Sequence, residues 1–136
     1  MPITDFFKRL HAPLANARWS WGSVRESDEI VFLRVWQDRK IKHDGRHFMM
    51  ITHHEKFDGN KDNLGYKERN EHVELIRAGS KCFMVMCLVD DVDAAPRKIK
   101  SFNSKDIFIG GEILEINGNT WMELAGRIPV KDAIPS

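Results

Sequence analysis

The sequence is poor in the features that declare a function outright. It holds two cysteines, one tyrosine and five prolines in 136 residues. Both thiols, Cys82 and Cys87, fall in one apolar run. On a strand, residues five apart point to opposite faces, which disfavours a bridge between them. They are expected as buried free thiols of a cytoplasmic protein. No apolar run approaches the ~20 residues that a helix needs to cross a bilayer. The opening MPITDFFKRLH lacks the apolar core of a secretory signal. No membrane association is expected. Charge of one sign is also lacking, since 21 Lys and Arg stand against 20 Asp and Glu, for a formal net charge of +1. Any electrostatic footprint must therefore be local. There is no P-loop and no GxGxxG, and GSVRES lacks the glycine spacing of a nucleophile elbow. The two cysteines and six histidines show no zinc-type spacing. No metal and no cofactor is expected.

What is present fits one domain, residues 1–136, with one real core. ITDFFKRLH reads as a short N-terminal helix, capped by Thr4, with Phe6, Phe7 and Leu10 on one stripe. EIVFLRVWQDRKIKHDGRHFMMIT is the clearest unit. Two extended runs meet at Asp44-Gly45, the pair that a two-residue type I′ hairpin favours. That turn sets His43 opposite Arg46 and Ile41 opposite Phe48. One face then carries Val31, Leu33, Val35, Ile41, Phe48 and Met50 as core. The other carries Phe32, Arg34, Trp36, Lys40, Lys42, Met49 and Ile51, and turns basic toward the tip.

HEKFDGNKDN reads as a polar loop, and LGYKERNEHVELIRAG as a helix with an exposed Lys67–Glu71 pair and a stop at Gly79. KCFMVMCLV is a central strand, and residues 98–102 form a short one. IFIGGEILEINGNTWMELAGRIPV is a second hairpin around Asn117-Gly118, with Leu114 opposite Trp121. This order predicts an α+β fold: a small, mostly antiparallel, partly closed β-barrel with one main helix and a short N-terminal helix.

Four groups of residues are candidates for chemistry. RWSWGSV concentrates Trp19 and Trp21, which share a face if the stretch is extended. With Trp36, and with Tyr66 and Phe57 beside them, they either anchor the core or line a slot for something flat. Gly22 would admit a backbone or a ligand at close range. The hairpin tip DRKIKHDGRH carries Arg39, Lys40, Lys42 and Arg46, which suit nucleic-acid phosphates or simply keep an exposed edge soluble. HHEKFDGNKDNLGYKERNEH sets His53, His54, Asn63 and His72 in loose HNH-nuclease order, the order of a metal-dependent water activation. The loop between them is short for that motif, and no CxxC pair supports it. Lastly, Glu112 and Glu123 face each other in the simplest hairpin register, which is unfavourable, so that either an Arg or a metal bridges them or the register differs from the simplest one.

WSWGSV, VFLRVW and RIPV together resemble small PUA-like domains, the superfamily that includes EVE, YTH, ASCH and SRA domains. The order of a Trp-rich N-terminal segment, a VFLRVW-type strand, a helix before a central strand and a late hairpin is similar to theirs. The resemblance implies a pocket for a modified base, built here by Trp19, Trp21 or Trp36. Ser20, Ser23 and Asn63 are then candidates for hydrogen bonds to a base edge. It also implies a DNA or RNA partner, and a separate catalytic partner of the kind found in modification-dependent restriction systems. The leading expectation is thus a non-catalytic nucleic-acid-binding module. The alternatives are an HNH-like nuclease acting through His53, His54, Asn63 and His72, and a protein-interaction subunit that exposes Met49 and Ile51.

Overall fold

Two tight turns frame the sheet. Asp44 and Gly45 have φ of 51° and 78°, and Asn117 and Gly118 have φ of 50° and 79°. A type I′ turn needs positive φ at both central residues, and Asp-Gly and Asn-Gly supply it at the least cost. The computed structural model describes residues 1–59 and 62–135. Along the chain its elements are α1 (Ile3–Arg9), β1 (Gly22–Val24), β2 (Val31–Trp36), β3 (Lys40–His43), β4 (Arg46–Thr52), α2 (His54–Phe57), α3 (Leu64–Arg77), β5 (Cys82–Val89), β6 (Ile99–Phe102), β7 (Asp106–Ile116), β8 (Asn119–Pro129) and α4 (Val130–Ala133). Among the described residues the fold is α+β, with eight strands in one mostly antiparallel sheet and four short helices.

The sheet runs β1-β2-β5-β7-β8-β4-β3, with β6 paired to β5 off this path. Both hairpins have the expected register, with His43 opposite Arg46, Ile41 opposite Phe48 and Leu114 opposite Trp121. β5 is central, as its apolar sequence requires. β2 departs from expectation. It is not the far end of the first hairpin but pairs in parallel with β5, Val31 opposite Cys82 through Trp36 opposite Cys87. A turn closed by Arg39 N–H donating to Trp36 C=O at 3.0 Å breaks the run. The face assignment across that turn therefore fails. Met49 and Ile51 are buried with Val31, Leu33 and Val35, while Met50 is only half-buried.

α1 buries Phe6, Phe7 and Leu10 against Phe32, Val85 and Ile107, as its stripe predicts. Pro2, not Thr4, is at its N-cap. The polar stretch after β4 is not all loop, because α2 forms there. Asn63 caps α3, its side-chain oxygen accepting from Tyr66 N–H at 3.0 Å. Cys82 and Cys87 are buried free thiols.

α3 sends one long side chain across the sheet. Arg69 is 4% exposed. Its guanidinium donates to the Ile51 carbonyl of β4 at 2.5 Å, to Arg34 of β2 at 2.9 Å and to Trp21, just before β1, at 2.7 Å. The planar fork of five donors suits this three-way link. It ties β4 to β2, which are not neighbours in the strand order.

Candidate functional site

The cavity beside Arg69 has a volume of about 480 Å³, within the usual range for a small-ligand pocket. The segment before β1 supplies Trp19 and Trp21, the end of β2 supplies Trp36, α2 supplies Phe57, and the N-cap and first turn of α3 supply Asn63 and Gly65. All three tryptophans proposed from the sequence thus meet at one place. The core tryptophan is the fourth, Trp121, which is 7% exposed.

Close packing sets the ring positions. Trp21 and Phe57 have centroids 5.0 Å apart at 48°, and Phe57 and Tyr66 5.6 Å apart at 32°. A Cβ on Gly65 would overlap the Trp21 indole and come within 2.8 Å of the Trp19 carbonyl oxygen. Gly65 therefore admits the indole, a role that the sequence did not signal. At Gly22 the close neighbour is the Phe32 backbone of β2, so that glycine serves strand pairing and not a ligand.

The wall is cationic. Arg18, Arg34, Arg39, Lys56, Arg69 and Arg97 line it, against the single carboxylate Asp62 among the described lining residues. Arg34 donates to the Ser20 carbonyl at 3.0 Å. Arg97 lies over the Trp36 ring at 5.3 Å and binds both Asp38 oxygens, at 2.9 and 2.7 Å. Lys56 lies over Phe57 at 5.4 Å. An Arg39 Nη1 contacts His53 Nδ1. An arginine can only donate, so His53 accepts there and carries its proton on Nε2. Burial, and then the charges of Arg39 and Lys56, hold the His53 pKa below its usual value. Burial lowers Lys56 and Arg39 as well, and Arg97 adds to both shifts by repulsion. Burial and the Arg34 charge take Arg69 down to about 10.

The remaining candidates are dispersed. Ser20 Oγ accepts from Asn16 N–H and donates to Glu68, and Ser23 donates to the Ala12 carbonyl at 2.6 Å. Neither lines the cavity, and Asn63 does so with its side-chain oxygen already engaged as the helix cap. The hairpin cations do not act as one patch. Arg39 belongs to the cavity wall, and Lys40 and Lys42 stand exposed on β3. Arg46 is bound to Glu112 at 2.7 Å and lies 3.4 Å from Glu123. It is the bridge that the two glutamates require. A bulge between Gly110 and Ile113 also removes their direct opposition.

The HNH-like set is not assembled. His53 faces Arg39, His54 pairs with the Tyr66 hydroxyl at 2.7 Å and Thr120 Oγ1 at 2.8 Å, and Asn63 caps α3. His72 is buried. Among the described residues no group of three His, Cys, Asp or Glu side chains is placed to hold a metal ion. No described helix is long and apolar enough to cross a membrane. Sequence reasoning missed Arg34, Lys56, Arg69 and Arg97, since isolated cations along a chain carry no signal of convergence.

Fold and site together define a small α+β domain with an aromatic cavity walled by cations. The chain matches no family model, and no curated protein and no solved structure is significantly similar to it.

Proposed function

We propose that this chain is a non-catalytic nucleic-acid-binding module that takes one base, in a modified form, into the aromatic cavity. The observation that carries this reading is the meeting of Trp19, Trp21, Trp36 and Phe57 in one cavity of about 480 Å³ with a cationic wall. Aromatic faces hold a flat base by stacking, and cations hold the phosphates that accompany it. The sheet is read as a PUA-like, partly closed barrel. Arg69 supports that reading by linking β2 and β4, which are not neighbours in the strand order. A cytoplasmic setting agrees with two buried, unbridged thiols.

The other two readings lose their residues. The interaction-subunit reading needs Met49 and Ile51 at the surface, and both are buried. The nuclease reading needs His53, His54, Asn63 and His72 around one point, and each has a different neighbourhood. Isothermal titration with single- and double-stranded DNA and RNA oligonucleotides, with and without methylated bases, tests the proposal. Saturable binding that prefers one modification is expected. Equal binding of every oligonucleotide, abolished by salt, would reduce the module to an electrostatic contact.

A further inference from the structure

The cation cluster is arranged for more than backbone contact at the hairpin tip. Six cations line the cavity, and two of them are engaged in holding the fold. Arg34 and Arg69 bind main-chain carbonyls. Arg18 is exposed. Arg39, Lys56 and Arg97 remain, gathered around Trp36, His53 and Phe57. Asp38 forms an ion pair with Arg97 and attracts Arg39 more weakly. Among the described residues Arg39 and Lys56 make no ion pair with a carboxylate.

The three cations repel one another, since each of Arg39 and Lys56 is lowered by the Arg97 charge and Lys56 by Arg39 too. In a chain of net charge +1, like charges gathered beside aromatic rings are held against a Coulombic cost. An anion placed among them removes it. A second observation points the same way. The Arg97 side chain is 9% exposed, and its Nε is buried with no hydrogen-bond partner among the described residues. A buried donor of a charged group left unpaired is costly unless a ligand completes it.

We propose that the cavity binds a nucleoside phosphate as one unit, with the base among Trp19, Trp21 and Phe57 and its own phosphate among Arg39, Lys56 and Arg97. This rests on the base-binding reading above. It goes further, because it makes the phosphate of the recognised nucleotide an internal contact and a mononucleotide a sufficient ligand. A flipped nucleotide of a chain and a free nucleotide share this chemistry.

The experiment uses the whole chain and calorimetric titration. The probes are 5-methyl-2′-deoxycytidine, N6-methyl-2′-deoxyadenosine and the four unmodified deoxynucleosides, each with its 5′-monophosphate, and oligonucleotides that carry the same nucleotides. Lys56→Gln is the variant, since Lys56 is exposed on a short helix and its side chain makes no hydrogen bond among the described residues. At least one monophosphate is expected to bind about tenfold or more tighter than its nucleoside. Lys56→Gln is expected to narrow that gap by weakening the monophosphate several-fold more than the nucleoside, since Lys56 also lies over Phe57. Equal affinity for nucleoside and monophosphate, unmoved by Lys56→Gln, would overturn the internal phosphate site while the base reading stood. Binding of oligonucleotides with no binding of any monomer would do the same. Failure of every probe, oligonucleotides included, would remove both.

Discussion

The Trp21 indole lies directly on the Gly65 backbone, with ring atoms Cε2 and Nε1 each well inside van der Waals contact of where a Cβ would stand. This contact fixes one wall of the cavity, because Gly65 sits in the first turn of α3 and Trp21 just before β1. Gly65→Ala must push the ring away or shift the helix. Such overpacking costs about 1–3 kcal/mol. Thermal melts are expected to show a modest loss of stability, and oligonucleotide affinity a larger proportional one. Unchanged affinity would mean that the Trp21 wall does not touch the ligand.

The four tryptophans are expected to separate into two classes. Trp19→Ala, Trp21→Ala and Trp36→Ala remove aromatic surface of the cavity, where stacking is worth about 1–3 kcal/mol of binding per base. Trp121→Ala empties the core beneath β8, where the indole N–H donates to the Ile116 carbonyl at 3.3 Å. It is expected to cost about 3–5 kcal/mol of folding stability. Urea denaturation beside binding titration of the same variants distinguishes the classes.

Arg69→Met tests the link between β2 and β4. The variant leaves the carbonyls of Ile51, Arg34 and Trp21 without their charged donor. A loss of roughly 3–5 kcal/mol is expected. Arg69→Lys is expected to recover only part of it, since a point charge cannot address three carbonyls in one plane. Equilibrium unfolding in urea measures both.

His72 gives the fold a dependence on acid. Burial, and then the Arg69 charge, push its pKa from 6.5 down to about 4. The unfolded chain takes up this proton near pH 6.5, whereas the folded chain resists it until about pH 4. The contribution is therefore complete above pH 6.5 and is lost as the pH falls toward 4, by on the order of a few kcal/mol. Stability at pH 7.5 minus stability at pH 4.5 is expected to shrink in His72→Gln relative to the parent chain.

Lys40 and Lys42 are exposed at the hairpin tip and make no ion pair among the described residues, whereas Arg46 is held by Glu112 and Glu123. Replacing both lysines by Gln is expected to weaken binding at every sequence and to flatten its salt dependence, each phosphate contact contributing about 0.7–0.9 to the slope. Arg46→Gln is expected to change the slope less. A larger change for Arg46 than for the lysines would place it on phosphate despite its glutamates.

What the sequence made legible was chemistry that neighbouring residues decide. Asp44-Gly45 and Asn117-Gly118 dictate their turns and therefore the registers of both hairpins. Asn63 and Gly79 bound α3, and the unbroken apolar run of β5 marks a central strand. The three tryptophans of the cavity were legible as residue types. The parallel pairing of β2 with β5 was not, because the turn at Trp36–Arg39 carries neither Gly nor Pro and the alternation of residue types continues through it. The cations Lys56, Arg69 and Arg97 come from three different elements or connections, and only the folded sheet sets them beside Trp36 and Trp21. Ser20 and Ser23 look like ligand contacts next to two tryptophans, yet each hydroxyl is satisfied within the fold.

The central claim is that a base stacks on the cavity tryptophans, and intrinsic fluorescence reads it most directly. A Trp121→Phe background removes the core indole and leaves Trp19, Trp21 and Trp36 as reporters, all three on the cavity wall. Titration with short methylated and unmethylated oligonucleotides is expected to give saturable quenching that prefers one modified base and survives moderate salt. Binding detected by calorimetry with no change in fluorescence would contradict the account, because the ligand would then lie away from every tryptophan that lines the cavity.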